Sequence, residues 1–433
     1  MSVYNSQKDS QNPANSPLSF AVSIINKVEN ELGIPIFLVG GAVRDVLLGN
    51  VPKDWDFATS KNPDEVELAI RNTKRKPYLI GKKFGTIGFK FELKTEDLEI
   101  GNHSSKIYHT NTLRPMDTSL ERETLQVGTN LSISLENSQN NLPQENSQNS
   151  IEIAENQDKI QKNNQNQWIY VEITTFRAEK YQNTRKPIVE FVSGIDQDLA
   201  RRDFTINAMA MGKDGKIIDN WNGQNDLQNG IIRSVENPKI RFGEDPLRML
   251  RAIRFATQFD FEIEAQTWQK LTRMKFEIFR ISKERWVLEL DKILSCENVE
   301  KGLDLLMESG ILGLIIPEIS LQKNYNQNSN YHDFDLWTHT KKVVGNVPSE
   351  DLELRWSGLL HDIAKPFVRT ENKNGKSNYI GHEILGSQMA QKICKYLNFS
   401  NSQTNQVVEN IQNHLLQNSN LKIHDDNGKK EAK

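Results

Sequence analysis

The spacing of apolar positions changes several times over the first ninety residues, and each change marks an element. In "LSFAVSIINKVENELG", Leu18, Ala21, Ile24, Ile25, Val28 and Leu32 recur at helical steps, which predicts an amphipathic helix stopped by Gly33. "IPIFLVGG" is a short apolar run closed by glycines, the pattern of a buried strand, and "AVRDVLLG" restarts a helix ended by Gly49. In "KDWDFATS" the period falls to two. Trp55 and Phe57 then point to one side of a predicted strand, Asp54 and Asp56 to the other. "NPDEVELAIRNT" opens with Asn-Pro and acidic residues, a helix start, while "FGTIGFKFEL" and "WIYVEITTF" read as further strands.

Between those two strands, from about residue 95 to 166, the periodicity disappears. The segment is rich in Asn, Gln and Ser, and "ENSQN" occurs at Glu136 and again at Glu145. Such a composition buries too little apolar surface to offset ordering entropy, so a disordered insertion is expected, with its flanking strands still paired. After Arg201 the pattern is mostly helical, interrupted by "GKDGKIIDNWNG", whose Asp-Gly and Asn-Gly pairs signal turns around a short strand. Helices are predicted over "EDPLRMLRAIRFATQF", opening at Pro246, over "SKERWVLELDKILS", and over "LRWSGLLHDIAKP" and "HEILGSQMAQKICKYL".

Composition adds boundaries to this outline. The 433 residues suffice for several cores, and 54 basic against 57 acidic side chains leave a formal charge of −3. That balance neither favours nor excludes a nucleic-acid partner, which depends on local clustering. Two cysteines, Cys296 and Cys394, rule out a disulfide framework and a thiolate zinc site. The polar opening "MSVYNSQKDSQNPANSP" lacks the apolar core of a signal peptide, and no apolar run approaches the roughly 20 residues of a membrane span. A cytoplasmic protein without membrane association is expected, and nothing in the sequence points to a protein partner.

Three groups of residues carry candidate chemistry. Asp54 and Asp56, two apart on a strand, can hold one or two hard cations, and Glu172 in "VEITTF" offers a third carboxylate. Gly40 and Gly41 let backbone amides approach phosphates, and Arg44 is placed to reach one. An ordinary Asp-X-Asp at an exposed strand end is the plainer reading of the tripeptide alone. Further on, Asp245, Arg248, Arg251 and Arg254 recur every three residues and are expected to share a helical face, where a carboxylate and a guanidinium can read the edge of a base. A surface helix with spaced charges is the alternative. Arg273, Lys275, Arg280, Lys283 and Arg285 either follow an RNA backbone or form a solvated face.

"GGAVRDVLLGNVPKDWDFAT" resembles the opening motif of the bacterial-type (class II) tRNA nucleotidyltransferase and poly(A) polymerase family. "RRDFTINAMA", "IIDNWNGQNDLQNGIIR", "GEDPLRMLRAIRFA" and "ISKERWVLELDKIL" follow in family order, so the resemblance covers roughly residues 20 to 320 outside the insertion. It implies an α+β chain: a polymerase-beta-like mixed sheet with helices, then an all-helical body. It also implies that Asp54 and Asp56 bind catalytic Mg2+ and that Gly41, Arg44 and Arg202 contact the incoming nucleotide. Asp203 and Asn207 would shape its ribose side. The Asp245–Arg254 motif would act as a protein template that selects CTP or ATP. The partner implied is tRNA. Three activities share this head: full CCA addition, partial or A-only addition, and poly(A) addition. "LIGKKFGTIGF" partly resembles a poly(A) polymerase signature, but its Thr86-Ile87-Gly88 follows the tRNA-type pattern better. The loop-like "FRAEKYQNTRKP" argues against CC-only addition, although "QNTRKP" departs from the usual loop sequence, so full CCA addition is expected, with A-only addition as the alternative.

Near the C-terminus, "LLHDIAKP" resembles the core of the HD phosphohydrolase superfamily. His339, His361, Asp362 and His382 would then hold a second divalent metal. The superfamily's final aspartate has only Asp425 or Asp426 as candidates here, so a hydrolase and a helical domain with a residual site both stay open. So does a non-catalytic RNA-binding module. The expected division is a lead over 1–16, a head over 17–212, a template and tRNA-binding region over 213–320, and an HD-like domain over 330–433.

Overall fold

The computed structural model describes residues 16–93, 167–180, 188–328 and 335–414. The polar lead before residue 16, the Asn/Gln/Ser-rich insertion, the centre of "FRAEKYQNTRKP" and Asp425 and Asp426 lie outside the described residues.

The first helix, α1 (Pro17–Leu32), begins where the Ser16 side chain accepts from Ser19 N and ends at Gly33 in the left-handed region, at φ 66°. Strand β1 (Phe37–Val39) runs into α2 (Gly41–Leu47), followed by β2 (Trp55–Thr59) and α3 (Pro63–Asn72). Asn62 and Glu65 close a reciprocal capping box on α3. Strands β3 (Thr86–Leu93) and β4 (Gln167–Thr175), which bracket the insertion, pair antiparallel from Thr86↔Thr174 to Leu93↔Gln167. Short strands β5 (Arg177–Lys180) and β6 (Ile188–Phe191) form a separate hairpin. With β7 (Ala210–Met211) and β8 (Ile217–Ile218) the main sheet has the order β3-β4-β2-β1-β7-β8. Only β2 and β4 run parallel in it, which makes the sheet mixed.

Alternation assigns each face. Trp55, Phe57, Ile87, Phe89, Phe91, Val171 and Ile173 are buried in the core under α1 and α3. Phe20 packs its ring edge-on against Trp55 at 5.8 Å, and truncating such a buried tryptophan typically costs about 3–5 kcal/mol. The opposite face carries Asp56 and Glu172 beside a small cluster of Val39, Ala58, Phe176, Leu199 and Ala210.

The remainder is helical and continuous with the main core. The helix Leu247–Phe259 packs against Lys283–Leu294 and Val299–Ser309, and a C-terminal group comprises Leu336–Gly345, Leu352–Leu360, His382–Tyr396 and Asn401–Asn413. Arg355, 2% exposed, joins the two groups by donating to the carbonyls of Leu294, Cys296 and Val347. Trp356 Nε1 donates to Asp291 across the same junction at 2.8 Å, where burial pushes the Asp291 carboxyl up to about 6. Among the described residues no helix is long and apolar enough to cross a membrane.

Several expectations need correction. Strand β2 starts at Trp55, so Asp54 is an exposed residue just before it. Asp245 is in extended conformation after the helix Pro238–Glu244, and Pro246 precedes the first residue of the next helix, Leu247. A proline resists continuing the preceding helix, so Asp245 cannot share a helical face with Arg248, Arg251 and Arg254. In the C-terminal group only His339 lies inside a helix. His361 and His414 are C-terminal caps, Asp362 lies in the following turn, and His382 opens its helix.

Candidate active site

The strand register brings together carboxylates that the insertion separates in sequence. Asp56 on β2 pairs with Glu172 on β4, with Asp54 one step outside the strand. Burial, and then repulsion from Asp54, pushes Asp56 up to about 6. Burial, then Asp56 and Asp54, pushes Glu172 up to about 7. Hard oxygen donors under mutual repulsion suit a divalent cation, which would remove that repulsion.

The glycine turn stands beside them. Gly40 has φ 70° and ψ −130°, outside the range of side-chain-bearing residues, and a Cβ there would collide with Arg202 Nη1. Its amide donates to Met209 O at 3.1 Å. Gly41 has Arg44 as its nearest side chain. Arg202 is held by Asp198 at 3.1 Å, and Arg201 by Asp198 and Glu179 at 2.8 and 3.0 Å. Burial disfavours charge on Asp198, but Arg202 and Arg201 outweigh it and hold the carboxyl below its ordinary range. The "RRD" turn is therefore anchored rather than solvated. Asp198, three residues before Arg201, escaped the sequence reading, although that helical spacing to an arginine is a usable signal.

Arg44 is 7% exposed and spends its donors inside the protein, on Asn207 Oδ1 at 2.7 Å and on Asp45 at 2.7 and 2.9 Å. Its guanidinium lies 4.7 Å from the Phe259 ring centre. Asn207 donates in turn to Asp203, which also accepts from Arg251 at 2.7 Å. Burial would raise Asp203, but Arg251, with help from Asn207, holds it well below the carboxylate range. This buried chain of side chains ties the glycine turn to the helix Leu247–Phe259.

The four residues expected to form one base-reading face are dispersed. Asp245 accepts from Leu247 N and from Arg285 at 3.0 Å. Arg248 donates to Arg241 O, Glu244 and Arg201 O at 3.3, 2.9 and 2.9 Å. Arg251 goes to Asp203, and Arg254 goes to the buried Glu289 at 2.7 Å. Of the basic set further on, Arg280 bonds Gly243 O and Glu277, and Lys283 stands 3.5 Å above the Tyr396 ring.

A second centre forms in the C-terminal helices. Two groups of ligand atoms, His339/His361/Asp362 and Asp362/His382/His414, each lie within 4.8 Å of one another. His361, His382 and His414 donate from Nδ1 to the carbonyls of Gly358, Tyr379 and Ile411 at 2.7, 2.6 and 2.6 Å. Those bonds fix the tautomer and leave Nε2 as the ligating atom. Burial lowers the pKa of His339 and His414, which favours the neutral, ligating form. This donor set fits a divalent transition metal. His414, outside the four residues expected to hold this metal, joins the centre from the end of the helix Asn401–Asn413. Lys365 was missed; it lies 2.7 Å from Asp362.

A mixed sheet with paired carboxylates beside a glycine turn, carried by a helical body, defines a nucleotidyltransferase head. Family models support this class. Poly A polymerase head domain matches residues 36–126 and 116–233, "probable RNA and SrmB-binding site of polymerase A" matches 260–322, and HD domain matches 335–431. The CCA-adding enzyme of Ligilactobacillus salivarius is 32% identical over 378 residues, covering 86% of this chain and 71% of that protein. The chain thus belongs to the CCA-adding enzyme family. CCA-adding enzymes of Bacillus pumilus and a Geobacillus species are 31% and 30% identical over 68% and 74% of this chain, which spans only 54% and 60% of their lengths. The fold is shared with the Bacillus stearothermophilus CCA-adding enzyme in complex with CTP, at TM-score 0.50 and 22% identity over 93% of this chain and 78% of that one.

Proposed function

We propose that this chain adds CCA to the 3′ end of tRNA from CTP and ATP, in a magnesium-dependent nucleotidyl transfer. The observation that carries the reading is the pairing of Asp56 with Glu172 beside Asp54, next to a glycine turn only glycine can form. Asp54 and Asp56 would hold magnesium, with Glu172 alongside; when bound, it supplies charge neutralisation for the triphosphate and acidifies the attacking hydroxyl. The Gly40 amide is taken by Met209 O and its glycine sets the turn, the Gly41 amide approaches the phosphates, and Arg202, fixed by Asp198, adds positive charge there. Asp203 and Asn207 set the ribose side. Arg44 and Arg251 hold that side in place through the buried chain that joins them to Asn207 and Asp203. Base selection falls to Asp245 and Arg248, the latter exchanging its bond to Arg201 O for one to the base; Arg254 braces the helix through Glu289. A tRNA substrate goes with a cytoplasmic protein, and the 17–212, 213–320 and 330–433 divisions with head, template region and HD-like domain.

The test is extension of tRNA lacking its last three nucleotides, with magnesium and CTP alone, ATP alone or both. Two additions with CTP and three with both are expected. A single A added only to tRNA ending in CC would favour A-only addition, and no incorporation would reject the transferase reading. The convergence of four histidines on Asp362 favours a second, metal-dependent phosphohydrolase activity. Loss of phosphodiester hydrolysis in His361→Ala tests it, and an inactive parent rejects it.

A further inference from the structure

Trp168, Tyr170 and Glu172 alternate along β4, so all three stand on the sheet face that carries Asp56. Trp168 is 52% exposed and Tyr170 39%, whereas Val171 and Ile173 between and beyond them are fully buried. Across β3, Lys90 opposes Tyr170 and Gly88 opposes Glu172. The Tyr170 phenol lies over Gly88 so closely that a Cβ at that position would collide with it. Tyr78 continues the row: it exchanges two backbone bonds with Gly88, and its ring centre is 5.8 Å from that of Tyr170. Burial and the neighbouring Glu172 carboxylate push the Tyr170 hydroxyl up to about 12, in keeping with that proximity.

The order of strands separates this row from the nucleotide side. The glycine turn ends β1, on one flank of β2, and the aromatic row belongs to β4 and β3, on the other. Extending the β2–β4 register by one residue beyond Trp55↔Val171 sets Tyr170 level with Asp54. In-line transfer requires the attacking hydroxyl and the leaving pyrophosphate on opposite sides of the reacting phosphorus. With triphosphate at the glycines, the attacking strand therefore arrives over the aromatic row. The exposed rings of Trp168 and Tyr170, the half-buried ring of Tyr78 and the exposed Lys90 beside them match unpaired bases on a phosphate backbone.

We propose that Trp168, Tyr170 and Tyr78 stack the unpaired bases at the 3′ end of the RNA primer and so deliver its terminal hydroxyl to Asp54 and Asp56. This rests on the transferase reading above. The test compares Trp168→Leu and Tyr170→Leu with Trp168→Phe and Tyr170→Phe in the full chain, measuring KM for tRNA lacking its 3′ end and KM for CTP. Stacking on one base predicts that each leucine variant raises the tRNA KM roughly tenfold with the CTP KM unchanged, and that the phenylalanine variants recover most of the loss. Leucine variants with the parent's tRNA KM, or a parallel rise for CTP, would overturn the stacking role while leaving the transferase reading intact. A lower melting temperature with unchanged tRNA KM would overturn it too, assigning the rings to internal packing. Only a parent that adds no nucleotide at all would take down both.

Discussion

The two metal-suited centres solve opposite electrostatic problems. In the head, Asp56 and Glu172 face each other with Asp54 nearby, and burial with mutual repulsion pushes the first two up to about 6 and about 7. In the C-terminal centre the carboxylate shared by both ligand groups among the described residues, Asp362, is buried but is held well below its ordinary range by His361 and Lys365. Three of the histidines around it are locked by backbone carbonyls. One centre is short of positive charge until a cation arrives; the other carries the Lys365 ammonium group beside imidazoles oriented by backbone carbonyls. Repelling carboxylates suit a site completed by an incoming cation, and imidazoles oriented by carbonyls suit a set of metal ligands.

Substitutions should separate the centres most sharply. Asp56→Asn removes a carboxylate oxygen proposed to hold magnesium, and nucleotide addition is expected to fall at least about 10³-fold, with any phosphodiester hydrolysis unchanged. His361→Ala should do the reverse, abolishing hydrolysis and leaving tRNA extension within about twofold in the same pair of assays. Loss of both activities from either change would erase the distinction.

Two smaller effects sharpen it. Asp203→Ala breaks a buried ion pair and leaves Arg251 and Asn207 without their acceptor, so a loss of about 3–5 kcal/mol in denaturant unfolding is expected. That would show the head's rigidity to reside in the buried chain rather than in the carboxylates. The smallest effect is a pH-dependent one. Asp56 and Glu172 have raised pKa values, so folding favours their protonated forms. Their contribution to stability is complete below the ordinary carboxylate range and is lost as pH rises through about 6 and about 7. Magnesium should therefore raise the melting temperature at pH 8 and leave it unchanged at pH 5, as followed by calorimetry.

What was legible in sequence was local. The apolar run into Gly40, the two-residue alternation at Trp55 and Phe57, and the Asn62 cap each depend on neighbours within a few residues, and each formed as its pattern implied. The partners of the site's charges are long-range or hidden by a break in period. Asp203 with Arg251, Arg254 with Glu289 and Arg248 with Arg201 O join distant segments. Counting by threes through Pro246 put Asp245 on a helix that starts after it. In the C-terminal centre His414 reaches Asp362 and His382 from the end of the helix Asn401–Asn413, another meeting of distant segments.

The most direct measurement is sequencing of tRNA 3′ ends after incubation of trimmed tRNA with the full chain, magnesium, CTP and ATP. Ends completed to CCA by the parent, and left unextended by Asp56→Asn, are the predicted result. Ends left trimmed by the parent, runs of A, or equal completion by both proteins would contradict it.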